Sequence, residues 1–141
     1  MRSNDRAGSI RPGRRRVVSS SLNHVQERDS AQILGALDAI PDGGFAEAQA
    51  HIEGELASVI LHRDGDAVRA WWNVCPHTGR RLDWSPGQFL KSRDGLLVCA
   101  VHGASFETRD GVCIAGPCRG DRLRAIAVSV RDGMVVFRTS G

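Results

Sequence analysis

Two short stretches of the sequence each place a cysteine beside a histidine. His77 follows Cys75 after one intervening residue, and His102 follows Cys99 after two. Together they offer two thiolates and two imidazoles, which are ligands typical of zinc and of iron–sulfur chemistry. Two ligands this close in sequence project from the same tight loop, and they need not bind the same ion. The pattern therefore fits a dinuclear cluster in which the cysteines bind one metal and the histidines bind the other.

A structural zinc site is the alternative for the same four residues. Two cysteines and two histidines are also a zinc set, but zinc fingers pair like ligands, cysteine near cysteine and histidine near histidine. In this chain each pair is mixed. The mixed pairs favour an iron–sulfur cluster over zinc.

The two stretches resemble the cluster-binding loops of the Rieske [2Fe–2S] family. The resemblance is carried by residues 75–79, with the sequence CPHTG, and residues 99–103, with the sequence CAVHG, and it extends over residues 33–137. In that family two histidines replace two cysteines on one iron of the cluster. The resemblance implies one [2Fe–2S] cluster, with Cys75 and Cys99 on one iron and His77 and His102 on the other. The twenty-one residues between His77 and Cys99 are several more than the family usually has, and they predict a longer hairpin between the loops.

A third segment, Gly116-Pro117, resembles the family loop that covers the cluster, although an ordinary proline turn is the simpler interpretation. Cys113 and Cys118 lie on either side of it and do not occupy ligand positions. We expect a buried Cys113 on a strand and a free thiol at Cys118. A redox or disulfide role for these two cysteines is the alternative.

Length and cysteine usage limit the kind of protein that this can be. A chain of 141 residues is expected to form one domain. That is too short to add the separate catalytic domain of Rieske oxygenases. Cysteines in a chain without a signal peptide do not indicate a disulfide scaffold, and no apolar run approaches the roughly 18 residues of a membrane span. We therefore predict a cytoplasmic protein without a membrane anchor.

The first thirty residues differ in composition from the rest. Residues 1–20 contain six arginines against Asp5 alone, whereas residues 31–141 contain twelve basic and thirteen acidic residues, a net charge of −1. A segment with few large apolar side chains cannot bury enough surface to offset its ordering entropy. We predict a disordered arginine-rich arm over residues 1–30 and a Rieske domain over residues 31–141. A solvated tail is the simpler interpretation of the arm, and binding of nucleic acid or an acidic partner is the alternative.

Short β-rich segments separated by turn signals fill the rest of the chain. Four Asp-Gly turns join pairs of such segments. The predicted strands cover residues 33–36, 45–51, 58–62, 67–72, 89–91, 96–99, 105–108, 112–114, 127–130 and 134–137. This pattern predicts an all-β antiparallel β-sandwich or open barrel. The resemblance adds a cluster-binding subdomain inserted as two loops, over about residues 74–117.

The residues around the loops predict a reduction potential at the low end of the family range. High-potential members resemble this chain in the second loop but carry hydroxyl donors to the cluster sulfurs where this chain has Ala104 and Phe106. Arg80 and Arg81 would favour reduction, but we expect both to be solvated and screened. Trp84 is expected to pack beneath the first loop.

These features predict a Rieske-type ferredoxin, which carries single electrons between a reductase and an acceptor such as an oxygenase. No nucleophile–base pair, Walker loop or dinucleotide fingerprint is present in the sequence, so no enzymatic activity of its own is predicted. An iron–sulfur sensor that uses the basic arm is the alternative. A subunit or fragment of an oxygenase is a third interpretation, which the missing 2-His-1-carboxylate iron domain opposes.

Overall fold

Short β-strands account for almost all of the regular structure. The computed structural model describes residues 31–101 and 103–138, in which the one helical element is a 3-10 turn at Leu37–Ala39. The strands, in chain order, are β1 Ala31–Ala36, β2 Phe45–Ile52, β3 Glu55–Asp64, β4 Ala67–Trp72, β5 Leu90–Lys91, β6 Leu97–Val98, β7 Ser105–Phe106, β8 Cys113–Ala115, β9 Ala125–Ile126, β10 Val128–Arg131 and β11 Met134–Arg138. Every strand pairing is antiparallel. The prediction of an all-β antiparallel fold is confirmed.

Two of the sheets form the sandwich. One has the strand order β9–β4–β3–β2 and the other has the order β10–β11–β1. Aliphatic and aromatic side chains from both sheets meet in one core, including Val59 and Leu61 of β3 and Val135 and Phe137 of β11. Successive residues of a strand face opposite sides, so residues two apart point into the same core.

Strand β3 is buried on both faces because it separates two apolar cores. Val59 and Leu61 belong to the sandwich core, whereas Ile60 between them belongs to a second core. On β4, Ala70 faces the sandwich core and Trp71 faces the second one. The middle of β3 is therefore a continuous apolar run, as expected for a strand without a solvent face.

A third sheet, with the strand order β5–β6–β7–β8, is built from residues inserted between β4 and β9. Its strands are only two or three residues long, because the chain on either side bends into loops. The second core lies beneath this sheet and includes Leu82, Leu97, Phe106, Leu123 and the four cysteines of the chain. The inserted subdomain predicted from the sequence is confirmed.

The chain changes sheets at Ala127, which the sequence pattern did not indicate. The strand predicted over residues 127–130 corresponds to β10 at Val128–Arg131, which pairs with β11, but the separate short strand at Ala125–Ile126, which pairs with β4, was not predicted. Alternation of apolar residues reports which face of a strand is buried but not which sheet the strand joins. Ile126 and Val128 both pack against the sandwich core, so the bend connects the two sheets without leaving that core.

The predicted arm over residues 1–30 lies outside the described residues, as do His102 and residues 139–141. Within the described part of the chain, no helix is long and apolar enough to cross a membrane.

Candidate metal centre

The two predicted ligand loops share one backbone hydrogen-bond pattern. In each loop the cysteine N–H donates to the carbonyl five residues later, at 2.8 Å in both. In each loop the N–H four residues later donates to the cysteine carbonyl, at 2.8 Å from Gly79 to Cys75 and at 3.0 Å from Gly103 to Cys99. These glycines have φ values of +76° and +75°, which residues with a Cβ adopt at a cost. The equal Cys-to-Gly spacing thus builds the same loop twice, although the histidine comes one residue later in the second loop.

The sulfur of Cys75 is surrounded by hydrogen-bond donors. The backbone N–H groups of His77 and Thr78, the Thr78 hydroxyl and the Cys99 thiol all donate to it. Burial alone would raise the pKa of Cys75, but these donors outweigh burial and the pKa lies below its usual value. The first loop is therefore arranged to hold a thiolate, which is the form of cysteine that binds metals.

The predicted sulfur ligands are buried, whereas the one described imidazole ligand is exposed. Cys75 is 0 % and Cys99 is 1 % exposed, and their side chains are hydrogen-bonded to each other. His77 lies at the surface. Two adjacent thiolates facing an apolar core, with an imidazole toward solvent, fit a mixed cluster whose cysteine-bound iron is inside and whose histidine-bound iron is outside.

The Gly116-Pro117 segment lies directly against the second loop. A Cβ on Gly116 would lie 2.8 Å from the Ala104 Cα, closer than real Cβ atoms come to a neighbouring atom, and 3.3 Å from the Ala104 nitrogen. Gly116 also has a φ of +101°. The close approach of the two backbones supports the interpretation of this segment as a cover loop rather than an unrelated turn.

A family model for the Rieske [2Fe–2S] domain matches residues 32–131. The chain belongs to the Rieske [2Fe–2S] domain family. A Rieske domain binds one [2Fe–2S] cluster, and the buried thiolates and exposed imidazole described above fit that group. Comparison with curated proteins finds no match.

Several solved structures similar to this Rieske domain belong to carbazole 1,9a-dioxygenase. The ferredoxin of carbazole 1,9a-dioxygenase from Nocardioides aromaticivorans IC177 is 26 % identical, with a TM-score of 0.59 over 76 % of this chain and 95 % of that chain. A complex of reduced oxygenase and oxidized ferredoxin in carbazole 1,9a-dioxygenase gives 22 % identity and a TM-score of 0.58, over 76 % of this chain and 91 % of that chain. The terminal oxygenase from the same Nocardioides gives 21 % identity and a TM-score of 0.60 over 76 % of this chain, which spans only 29 % of the oxygenase.

Cys113 and Cys118 of the Rieske domain meet behind the first ligand loop. The Cys118 Sγ lies 3.2 Å from the Cys113 Sγ, to which the Cys118 thiol donates a hydrogen bond. Burial, followed by contact with Cys113 and Cys75, raises the pKa of Cys118 to about 12. Both are free cysteines, as expected, and both are buried, at 1 % exposure for Cys113 and 4 % for Cys118.

Asp83 is the centre of a hydrogen-bond network beneath the first loop. Its carboxylate accepts from Arg81 Nε at 2.9 Å and Nη2 at 2.7 Å, from the Gly87 N–H at 3.0 Å and from Asn73 Nδ2 at 3.2 Å. Burial alone would raise the pKa of Asp83, but the donors, led by Arg81, hold it below the usual value. The Asn73 Oδ1 accepts from the Leu82 N–H at 2.9 Å, so the network fixes the backbone that follows the loop.

The network closes into a ring through the sandwich. Arg81 Nη2 lies 2.9 Å from the Glu47 Oε2, and that oxygen accepts from the Ser58 hydroxyl at 2.7 Å. The Ser58 Oγ in turn accepts from Asn73 Nδ2 at 3.1 Å. Hydrogen bonding to Asp83 and Glu47 raises the pKa of Arg81. Arg81 is exposed, as expected, but its guanidinium is also paired with the carboxylates of Glu47 and Asp83, which the sequence did not indicate.

One of the tryptophans near the first loop does not lie where the sequence predicted it. Of the neighbours Trp71 and Trp72, Trp71 points inward and is 3 % exposed. Trp84, however, is 61 % exposed, so the prediction that it packs beneath the loop is wrong. The network draws Asp83 inward, and the extended chain then turns the next side chain outward. Sequence reasoning missed Asp83, and the only local signal was an acidic residue between Leu82 and Trp84.

Proposed function

We propose that this Rieske domain carries single electrons as a ferredoxin, with Cys75, His77, Cys99 and His102 holding its cluster. The observation that carries the proposal is the opposite exposure of the ligands, since the thiolates are buried and His77 is at the surface. The cluster, when bound, supplies a one-electron couple. The chain itself excludes water from the sulfur side and leaves the imidazole side open to a partner.

The comparison with a ferredoxin over 95 % of its length supports an oxygenase as the electron acceptor. That ferredoxin belongs to a dioxygenase by its description. Electron delivery to a separate oxygenase is therefore the activity that we assign, and a cytoplasmic location is part of the same proposal.

A groove beside the first ligand loop is the proposed docking site for the partner. Trp72, Val74 and Pro76 form its apolar wall, and Arg122 and Arg124 line its rim. Pro76 lies between the predicted ligands of the first loop and is exposed. A partner group in this groove would touch the ligand loop itself, which keeps the electron-transfer distance short.

The charge of the groove indicates an acidic partner surface. The Arg124 guanidinium lies 4.6 Å from the centre of the Trp72 ring, and its nearest carboxylate oxygen, on Glu53, is 3.9 Å away. Among the described residues, Arg122 has no ion-pair partner. Two arginines held over an apolar wall favour an incoming carboxylate, and opposite charge also accelerates encounter.

The cluster is tested first. Protein purified from iron-replete cells should contain two irons and two sulfides per chain, and dithionite should reduce it to a species with the low average g value of a mixed Cys/His cluster. Reduced protein mixed with oxidised terminal oxygenase of carbazole 1,9a-dioxygenase should be reoxidised at a rate that increases with oxygenase concentration. Stoichiometric zinc without visible absorbance would reject the proposed function.

The groove is tested with small oxidants of opposite charge. In Arg122→Glu, oxidation of the reduced protein by ferricyanide should slow severalfold, and oxidation by hexaammineruthenium(III) should accelerate. Arg131→Glu, an exposed position on β10 in the other sheet, makes the same change in net charge. Equal effects of the two substitutions would mean that net charge, and not the groove, governs the approach of the oxidant.

A sensor function is the second candidate, favoured by the six arginines among residues 1–20. Removal of residues 1–30 should leave the cluster spectrum, the melting temperature and the reoxidation rate of a carrier unchanged, because that segment has little apolar surface to dock. A gel shift with the DNA upstream of its own gene, lost on the same deletion, would instead identify a sensor.

A further inference from the structure

Cys113 and Cys118 stand at the two ends of the segment that contains Gly116-Pro117, and their side chains touch. Both are free and buried, and the distance between the two Sγ atoms is 3.2 Å. A disulfide bond is about 2 Å long, so the sulfurs would have to approach by only about 1 Å to form one. The pair is therefore placed for a disulfide without a large rearrangement of the chain.

The backbone holds the two cysteines together independently of their sulfurs. The Cys113 N–H donates to the Asp121 carbonyl at 2.7 Å, and the Gly120 N–H donates to the Cys113 carbonyl at 2.9 Å. The Asp121 N–H donates to the Cys118 carbonyl at 2.9 Å. These bonds close the base of the cover loop, so a disulfide would add a covalent bond to a contact that the fold already makes.

We propose that Cys113 and Cys118 are a redox-active dithiol, which a small-molecule disulfide such as glutathione disulfide converts to an intramolecular disulfide that holds the cover loop shut. One cysteine, as its thiolate, attacks the small disulfide and releases one small thiol, and the other cysteine then attacks the mixed disulfide and releases the second. The two protein thiols lose two electrons and two protons in all. The small disulfide takes them up and leaves as two thiols.

The closed loop itself controls access to this reaction. Pro117, Arg119 and Gly120 are exposed around the buried Cys118. Burial also raises the pKa of Cys118, so its thiol is protonated and unreactive while the loop is closed. Local opening of the loop exposes the thiol, which makes exchange slower than at a surface cysteine.

The modification would act on the cluster through the cover loop. Gly116, between the two cysteines, lies against Ala104 just after the second ligand loop. A cross-link between the ends of a loop removes open conformations that the free chain could visit. The disulfide form should therefore release its cluster more slowly than the dithiol form, which would protect the cluster under oxidising conditions.

The disulfide can be identified directly because trypsin separates the pair from the predicted ligands. Both cysteines of the pair lie in the peptide 110–119, whereas Cys75 lies in 70–80 and Cys99 in 94–109. Wild-type protein is incubated with glutathione disulfide, alkylated under denaturing conditions, digested and analysed by mass spectrometry. In most molecules the peptide 110–119 should lack two hydrogen atoms and carry no alkyl group, and dithiothreitol should reverse the change.

The effect on the cluster is measured as the rate at which excess EDTA bleaches its visible absorbance. Bleaching of the wild type should be severalfold slower after treatment with glutathione disulfide than before it. In the matched control Cys118→Ser the same treatment should leave the rate unchanged. Cys113→Ser is the second control and should behave in the same way.

Several results would overturn the proposal. Persistence of the dithiol, a stable glutathione adduct on the peptide 110–119, or a disulfide that joins it to the peptide 70–80 would show that the pair does not close on itself. Equal bleaching rates of the two wild-type forms would show that the bond does not hold the loop over the cluster. Absence of a [2Fe–2S] cluster from the wild type would instead reject the proposed function, and the disulfide would still be detected by mass spectrometry.

Discussion

The two ligand loops share a backbone hydrogen-bond pattern but have different supports. The first loop is followed by the ring of Asp83, Arg81 and their polar partners, which ties it to β2 and β3 of the sandwich. The second loop is held by close apolar packing, with Gly116 against Ala104. The hydrogen bonds within each loop are therefore local and repeated, whereas the long-range contacts that hold each loop in place differ between the two. Removal of a charge or acidification should therefore weaken the support of the first loop, and added side-chain volume should weaken the support of the second.

Substitution of the ligands themselves should have the largest effect, because each of the two loops supplies two of the four predicted ligands. Each substitution of a predicted ligand should abolish or badly impair cluster assembly, measured by iron and sulfide content and visible absorbance; the variants are Cys75→Ser, His77→Ala, Cys99→Ser and His102→Ala. The controls Cys113→Ser and Cys118→Ser should retain the cluster. A protein bleached by Cys118→Ser but not by His102→Ala would contradict the ligand assignment.

The support of the second loop is tested by adding one methyl group. Gly116→Ala introduces a Cβ at 2.8 Å from the Ala104 Cα and a side chain at positive φ, and each effect should destabilise by about 1–3 kcal/mol. The urea concentration that bleaches half of the cluster should fall clearly. Gly120→Ala is the matched control, since Gly120 has a φ of +95° but no atom within 4 Å of the added Cβ. Equal losses in the two variants would show that strain alone, and not the contact with the second loop, matters.

The support of the first loop is tested by removing its central charge. Asp83→Asn should lower stability at pH 7 by about 1–3 kcal/mol, because buried donors lose a charged acceptor. Asp94→Asn, at an exposed position, should change little. The measurement is the same urea midpoint, compared with that of the wild type.

Acid should erase the difference between the wild type and Asp83→Asn. The pKa of Asp83 is lowered in the folded state, so its contribution is complete above the unfolded carboxyl value of about 3.9 and is lost as pH falls through the folded value. The two urea midpoints should therefore converge below about pH 4. A gap that widens on acidification would contradict the sign of this linkage.

The smallest effect should come from a hydroxyl that only the first loop has. Thr78 donates to the Cys75 sulfur, whereas the hydroxyl of Ser105, just past the second loop, donates to the Gly103 carbonyl at 3.4 Å. Thr78→Val should lower the midpoint potential by up to about 59 mV, a tenfold change in equilibrium constant, and Ser105→Ala should not. Protein-film voltammetry of the wild type should still give a value at the low end of the range of about −150 to +300 mV. A wild-type midpoint above about +100 mV would mean that other donors, such as Thr78 and the backbone N–H groups, replace the missing hydroxyls.

Local spacing in the sequence predicted the parts of this protein that depend on neighbours along the chain. The Cys-to-Gly spacing of four, repeated at residues 75–79 and 99–103, defines both ligand loops because their hydrogen bonds span only five residues. The Asp-Gly pairs marked hairpins for the same reason. Alternating apolar residues identified the strands, since burial of one face requires only a period of two.

Only the tertiary structure decided which distant residues support the loops. Glu47 and Asp83 are far apart in sequence and meet through Arg81, and Cys118 and Cys75 are distant in sequence but belong to the same core. The outward position of Trp84 follows from the same packing, since the inward place is taken by Asp83. Such contacts depend on how sheets stack and loops fold back. A short-range pattern carries no information about them, because each side chain involved has many partners of suitable chemistry and only the packed chain selects one.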